Sequence, residues 1–158
     1  MINQDKLFQQ VINLFSYRDR SEWEIRQYLK KKLRDKNQSE SIINKIIKKL
    51  YHFDLLNDEK FVIKWIEART KSKFHGPKRL YVDLYKKGIS KQIINKHINK
   101  HSSHYWAKIA KKFLQKKLKS LKQLNMQKKR QKAFQLLAYR GFNYPTIKSA
   151  IDALMLEE

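Results

Sequence analysis

The chain has no cysteine, so it can build neither disulfides nor thiolate metal sites. It has three glycines, Gly76, Gly88 and Gly141, too few to write a glycine-rich phosphate cradle or a dinucleotide fingerprint, and no Gly-x-Ser-x-Gly elbow occurs. Most familiar enzyme classes are excluded in this way, and no catalytic residue and no cofactor is assigned. The two prolines fall near expected helix starts and no Gly/Ser-rich stretch occurs, so no flexible linker is expected. Apolar runs stay far below the roughly 20 residues of a membrane-spanning helix, which argues against insertion. The segment Met1 to Lys6 lacks the basic and then apolar pattern of a signal peptide, so a cytoplasmic location is expected. Acidic residues are also scarce, at 14 against 37 Lys and Arg.

What is present is enough to fold. Of 158 residues, 41% are apolar and 12% aromatic, so the formal charge of +23 accompanies a core and does not signal disorder. Apolar residues recur at helical spacing: Leu7, Phe8, Val11, Ile12 and Phe15; Ile42, Ile43, Ile46, Ile47 and Leu50; Trp106, Ile109, Ala110, Phe113 and Leu114. The chain is therefore read as all-α. Helix starts are marked by the Ser21/Glu24 capping box, by Asn57 before Asp58 and Glu59, and by Gly76-Pro77. Gly88 and Gly141 follow Lys87 and Arg140, where a left-handed C-cap residue is expected.

These ends expose an internal repeat. Leu84, Gly88, Ser90, Ile94 and Ile98 match Leu137, Gly141, Asn143, Ile147 and Ile151 at an offset of 53, and Leu33, Ser39, Ile43 and Ile47 match the middle set at an offset of 51. The pattern predicts an elongated array of three tandem three-helix modules, residues 1–54, 55–102 and 103–158, whose third helices are capped by Ser39, Ser90 and Asn143.

The same residues resemble a known family, the bacterial RecX regulators of RecA recombinase. The resemblance covers nearly the whole chain. It begins at Arg20-Ser21-Glu22-Trp23-Glu24-Ile25 with Leu29 and Leu33. It is strongest in Leu55-Leu56-Asn57-Asp58-Glu59-Lys60-Phe61 with Arg69 eight residues on, then Gly76-Pro77-Lys78-Arg79-Leu80 and Lys87-Gly88-Ile89-Ser90. Arg140-Gly141-Phe142-Asn143-Tyr144 is similar to the family's last turn. The chain departs from the family at Asp54, where Gly is common, and in being more basic than a typical member. The resemblance implies a protein that engages the RecA filament on single-stranded DNA and restrains it without catalysis. Its expected partners are that filament and, by direct contact, single-stranded DNA; no membrane partner is expected, and the free protein is expected to be a monomer.

Charge placement names candidate contacts. Residues 84–151 hold 18 Lys and Arg and no acid, whereas the other 90 residues hold 19 Lys and Arg and all 14 acids. Lys108, Lys111, Lys112, Lys116, Lys119, Lys122, Lys128, Lys129 and Arg130 alternate with the apolar stripe and are expected to project from the outward faces of two neighbouring helices, toward phosphates or acidic side chains. Arg69, Lys78 and Arg79 of the second module complete the set, with Arg69 alternatively pairing with an acid of an adjacent helix. Trp65 and Trp106 are expected to pack in the core, while Tyr81 and Tyr85 can face out. His97, His101 and His104 share a helical spacing, but no acid between Asp83 and Asp152 completes a site and no metal is expected. The alternative function is a basic nucleic-acid-binding protein. Sequence-specific reading is not expected, because the helices following Gly88 and Gly141 lack a cluster of exposed Arg, Asn and Gln.

Overall fold

The computed structural model describes residues 3–33 and 36–156. Met1, Ile2 and residues 157–158, at the two ends of the expected array, lie outside the described residues. Among those described are nine helices and no strand: α1 (Gln4–Phe15), α2 (Glu22–Lys32), α3 (Lys36–His52), α4 (Asp58–Lys73), α5 (Pro77–Tyr85), α6 (Lys91–Ile98), α7 (Ser103–Leu121), α8 (Met126–Tyr139) and α9 (Tyr144–Met155). The helices pack as three successive triplets, α1–α3, α4–α6 and α7–α9. The exposed surface is 10693 Å², against about 8,400 Å² for a compact protein of this size. The excess is that of an elongated array.

Local chemistry explains the helix starts. Ser21 accepts from the Glu24 amide while the Glu24 carboxylate receives the Ser21 amide, closing the capping box. Asn57, Ser90 and Asn143 cap α4, α6 and α9 through their side-chain oxygens. The expectation for Ser39 is corrected: it lies inside α3, which already runs at Lys36. In the other two modules a left-handed glycine, Gly88 (φ 74°) or Gly141 (φ 88°), breaks the chain just before the cap. The first module has no glycine at that place, and its third helix begins earlier.

Repeat positions are core positions. Leu33, Leu84 and Leu137, then Ile43, Ile94 and Ile147, then Ile47, Ile98 and Ile151 are all buried. The buried residues nevertheless form two clusters. One unites α1–α3 with Leu56; the other runs without interruption through the second and third triplets, from Phe61 to Leu154.

The joints between triplets differ accordingly. Between the first and second, the contacts are largely polar. The buried Ser21 hydroxyl donates to the Lys87 carbonyl (2.7 Å), the Glu22 amide donates to Asp58 Oδ1 (2.9 Å), and Lys87 Nζ donates to Glu24 Oε1 (2.8 Å). Trp23 lies so close to Gly88 that a Cβ there would stand 2.2 Å from the Trp23 Cβ. Between the second and third, backbone meets backbone. The Gly76 amide donates to the Arg140 carbonyl (2.7 Å), and the Lys78 amide donates to the Gly141 carbonyl (3.0 Å). A Cβ on Gly76 would lie 2.7 Å from the Gly141 backbone, and one on Gly141 would lie 2.4 Å from the Arg79 nitrogen. At the exit of the first module, Asp54 holds φ at 53°. Asp tolerates the left-handed region better than most residues with a Cβ, and its carboxylate pairs with Lys60 at 2.6 Å.

Two outcomes follow from these joints. Gly141→Ala combines a forbidden contact with a left-handed φ, and denaturant titration should show it less stable by about 2–4 kcal/mol. The Glu24 carboxylate is partly desolvated, which alone would raise its pKa, but hydrogen bonds from Arg18, Lys87 and the Ser21 amide prevail and hold it at about 2. Because the folded value lies below the unfolded one, its contribution is fully present above about pH 4.5 and is lost as pH falls through about 2. Glu24→Gln should therefore cost about 3 kcal/mol at pH 7 and under half of that at pH 3, read from urea unfolding at both pH values.

Candidate nucleic-acid and filament interface

Five lysines of α7, with Lys122 just past its end, form one stripe, and Lys117 lies outside it. At 3.6 residues per turn, Lys108, Lys111, Lys112, Lys116, Lys119 and Lys122 fall within about 140° of the helix circumference, opposite a buried face of Ala110, Phe113, Leu114 and Leu121. Among the described residues, no carboxylate lies within ion-pair distance of Lys108, Lys112, Lys116, Lys119 or Lys122. The charges therefore stay uncompensated and repel one another unless an anionic partner is present.

Part of the stripe borders a groove between α4 and α7, about 750 Å³ in volume. Phe74, Tyr105, Ile109, Thr70 and Gln115 line it together with four lysines, Lys71, Lys108, Lys112 and Lys116, and one acid, Glu67. Phe74 holds a left-handed backbone (φ 53°) at the end of α4, a conformation a bulky residue rarely adopts. Its ring meets Phe113 at 5.8 Å and carries the Lys116 ammonium at 4.8 Å.

Arg69 and Arg79 are separate from that stripe. They line a second cleft, between α4 and α5, with Trp65, His75, Asp83, Lys86 and Lys87. Arg69 does not pair with an acid: among the described residues its guanidinium finds the Trp65 ring instead, 4.4 Å from the centroid. Trp65 is thus only partly buried, whereas Trp106 is a core residue, 5% exposed. Lys78 is exposed on the first turn of α5, beside Arg79, and its amide makes the joint to Gly141. Tyr81 and Tyr85 stack on each other nearly parallel, and Tyr85 is exposed.

Two expected contacts are revised. Lys129 is not on an outward face: it is 4% exposed, on the inner side of α8, one residue from the exposed Lys128. Its position falls in register with Ala133 and Leu137, so the helix turns it inward despite its charge. Arg130 is exposed but lies 3.4 Å from Asp152, so part of its charge is answered within the protein. Sequence reasoning missed Lys71, Lys86 and Lys87, which sit on the groove walls; the i, i+4 spacing of Trp65 and Arg69 was the available signal for the second cleft.

The histidines go to structural partners. His97 is buried and shares a 3.1 Å hydrogen bond with Glu59 of α4. The acid missing from its own stretch is thus supplied by another helix. His101 stacks on Tyr105 at 4.2 Å, and its pKa is lowered, first by burial and then by His97. Among the described residues no three His, Asp or Glu side chains are grouped to hold a metal ion, and no helix is long and apolar enough to cross a membrane.

Comparison with known proteins places this architecture. Models of the first, second and third three-helix domains of RecX match residues 8–50, 57–98 and 105–151 in order. The chain belongs to the RecX family. Relatives named regulatory protein RecX include that of Bacillus velezensis, 32% identical over 93% of this chain and 54% of its own length. That of Pelodictyon phaeoclathratiforme is 30% identical over 81% of this chain and 78% of its own. The chain spans about half the length of the Bacillus relatives. The crystal structure of RecX from Lactobacillus salivarius superimposes with a TM-score of 0.84 at 25% identity, covering 97% of both chains.

The contrast between neighbouring lysines is testable. Lys128→Gln should weaken oligonucleotide binding and leave thermal stability unchanged. Lys129→Gln should lower stability while changing affinity little, because a side chain 4% exposed cannot meet a ligand.

Proposed function

We propose that the protein binds the RecA nucleoprotein filament and restrains its recombinase and ATPase activities. The observation that carries this reading is the combination of RecX membership with an elongated body bearing a lysine stripe along α7, in which Lys108, Lys112, Lys116, Lys119 and Lys122 have no carboxylate in ion-pair range among the described residues. A long cationic surface suits an extended acidic assembly. Lys108, Lys111, Lys112, Lys116, Lys119, Lys122 and Lys128 supply long-range attraction to phosphates, and Arg69, Lys78 and Arg79 supply directional contacts from the second module. In this reading the protein acts by binding, and no bond is made or broken by its side chains.

Adding the protein to filaments should reduce ATP hydrolysis or strand exchange at or below stoichiometric amounts. An unchanged rate under conditions of demonstrated binding would exclude the reading.

The lysine stripe also supports direct, sequence-independent binding to single-stranded DNA. Each neutralised phosphate releases counterions, so log affinity should fall with log salt at a slope of roughly −0.7 per contact. Changing Lys108, Lys112, Lys119 and Lys122 together to Gln should weaken bare-DNA binding and flatten that slope, with a smaller loss on filaments. Equal affinity and slope for the variant and the parent would mean that the stripe is merely solvated. A preference of several hundredfold for one oligonucleotide would show sequence reading instead.

A further inference from the structure

The cleft between α4 and α5 holds more donors than acceptors. Arg69, Arg79, Lys86 and Lys87 bring four cations to its walls, and among the described residues Asp83 is the one carboxylate lining it. That carboxylate is divided between Arg79 Nε and His75 Nδ1, each 3.4 Å away. His75 Nδ1 is nevertheless enclosed without a hydrogen bond, and the indole Nε1 of Trp65 is likewise enclosed without an acceptor. Buried donors left in this way are costly and uncommon. Lys87 has a second partner in Glu24, whereas among the described residues Arg69 and Lys86 have no carboxylate within ion-pair distance.

The shape of the cleft narrows the ligand class. The Trp65 ring is stacked on by Phe61 at 5.6 Å and carries Arg69 and Lys87 at 4.4 and 5.2 Å, so it offers no open platform for a nucleobase. What remains is a pocket of about 410 Å³ whose walls carry four cationic side chains. The non-bridging oxygens of a phosphate, two in a diester and three in a monoester, suit the planar fork of arginine.

We propose that this cleft, lined by Arg69, Arg79, Lys86 and Lys87, is a phosphate site for single-stranded nucleic acid, distinct from the lysine groove on α7. The proposal rests on the nucleic-acid side of the function given above. The phosphate is either an internal diester or the terminal group of a strand, and both offer non-bridging oxygens to the same cations, the terminal group one more.

Trp65 and His75 report on the site directly. Titration with inorganic phosphate at constant ionic strength should shift the indole N–H resonance of Trp65, assigned with Trp65→Phe. It should also raise the pKa of His75, which is lowered in the free protein by burial, against the attraction of Asp83 and with help from Arg79, Arg140 and Arg69. A single-stranded oligonucleotide should produce the same shifts at lower concentration. Arg69→Gln should weaken both ligands at least tenfold. Lys86→Gln, on an exposed side chain that cannot disturb the fold, should weaken them two- to threefold.

Equal affinity of 5′-phosphorylated and 5′-hydroxyl strands identifies an internal diester, and preference for the phosphorylated strand identifies the terminus. Either supports the site. If neither phosphate nor oligonucleotide moves the two signals beyond a chloride control, or if an acidic peptide moves them and the oligonucleotide does not, the proposal is overturned. Filament ATPase measured on the same samples separates the readings: inhibition without cleft signals removes only this site, and cleft signals without inhibition remove only the filament function.

Discussion

The meeting of two backbones at Gly76 and Gly141 is the constraint on which the rest of the array depends. Hydrogen bonds of 2.7 and 3.0 Å cross that joint in a space where no Cβ fits. They seat the start of α5 directly against the turn between α8 and α9. That seating lets one apolar cluster run from Phe61 to Leu154, and it fixes α4 beside α7. Both candidate binding surfaces border α4. The groove needs α7 on one side of that helix, and the cleft needs α5 on the other.

Charge follows a parallel logic. The acids are gathered where they complete joints and caps: Glu24 receives Arg18 and Lys87, Asp58 receives the Glu22 amide, and Glu59 receives Lys96 and His97. Among the described residues Lys108, Lys112, Lys116 and Lys119 of α7 have no such partner. Neutralising residues are thus concentrated at the interfaces between helices, and the surface left unneutralised is the one that suits a polyanion.

Much of this was legible in the chain. The three helix triplets, most of the caps and the shared core positions follow from apolar spacing and from residues whose side chains satisfy free amides. Ser39 misled because a capping residue type can also sit inside a first turn when no glycine ends the preceding segment. Lys129 misled because its neighbours in sequence are exposed, while its place is set by the helical phase of Ala133 and Leu137. The pairing of Gly76 with Gly141, and of Glu59 with His97, was not legible at all: each joins residues 65 or 38 positions apart, and such meetings depend on how the triplets stack. Arg69 turns its guanidinium to the Trp65 ring, a partner that the expectation of an acid did not name.

The two apolar clusters divide the molecule in a further sense. The second and third triplets share one buried core and backbone hydrogen bonds across their joint, so they must open together. The first triplet has its own core and meets its neighbour mainly through a hydroxyl, two carboxylates and a lysine, groups for which water is a ready substitute. The array is therefore mechanically a rigid bar with a jointed arm. The seam between arm and bar lies where Trp23 meets Gly88, while the two triplets of the bar share one buried core along their cationic length.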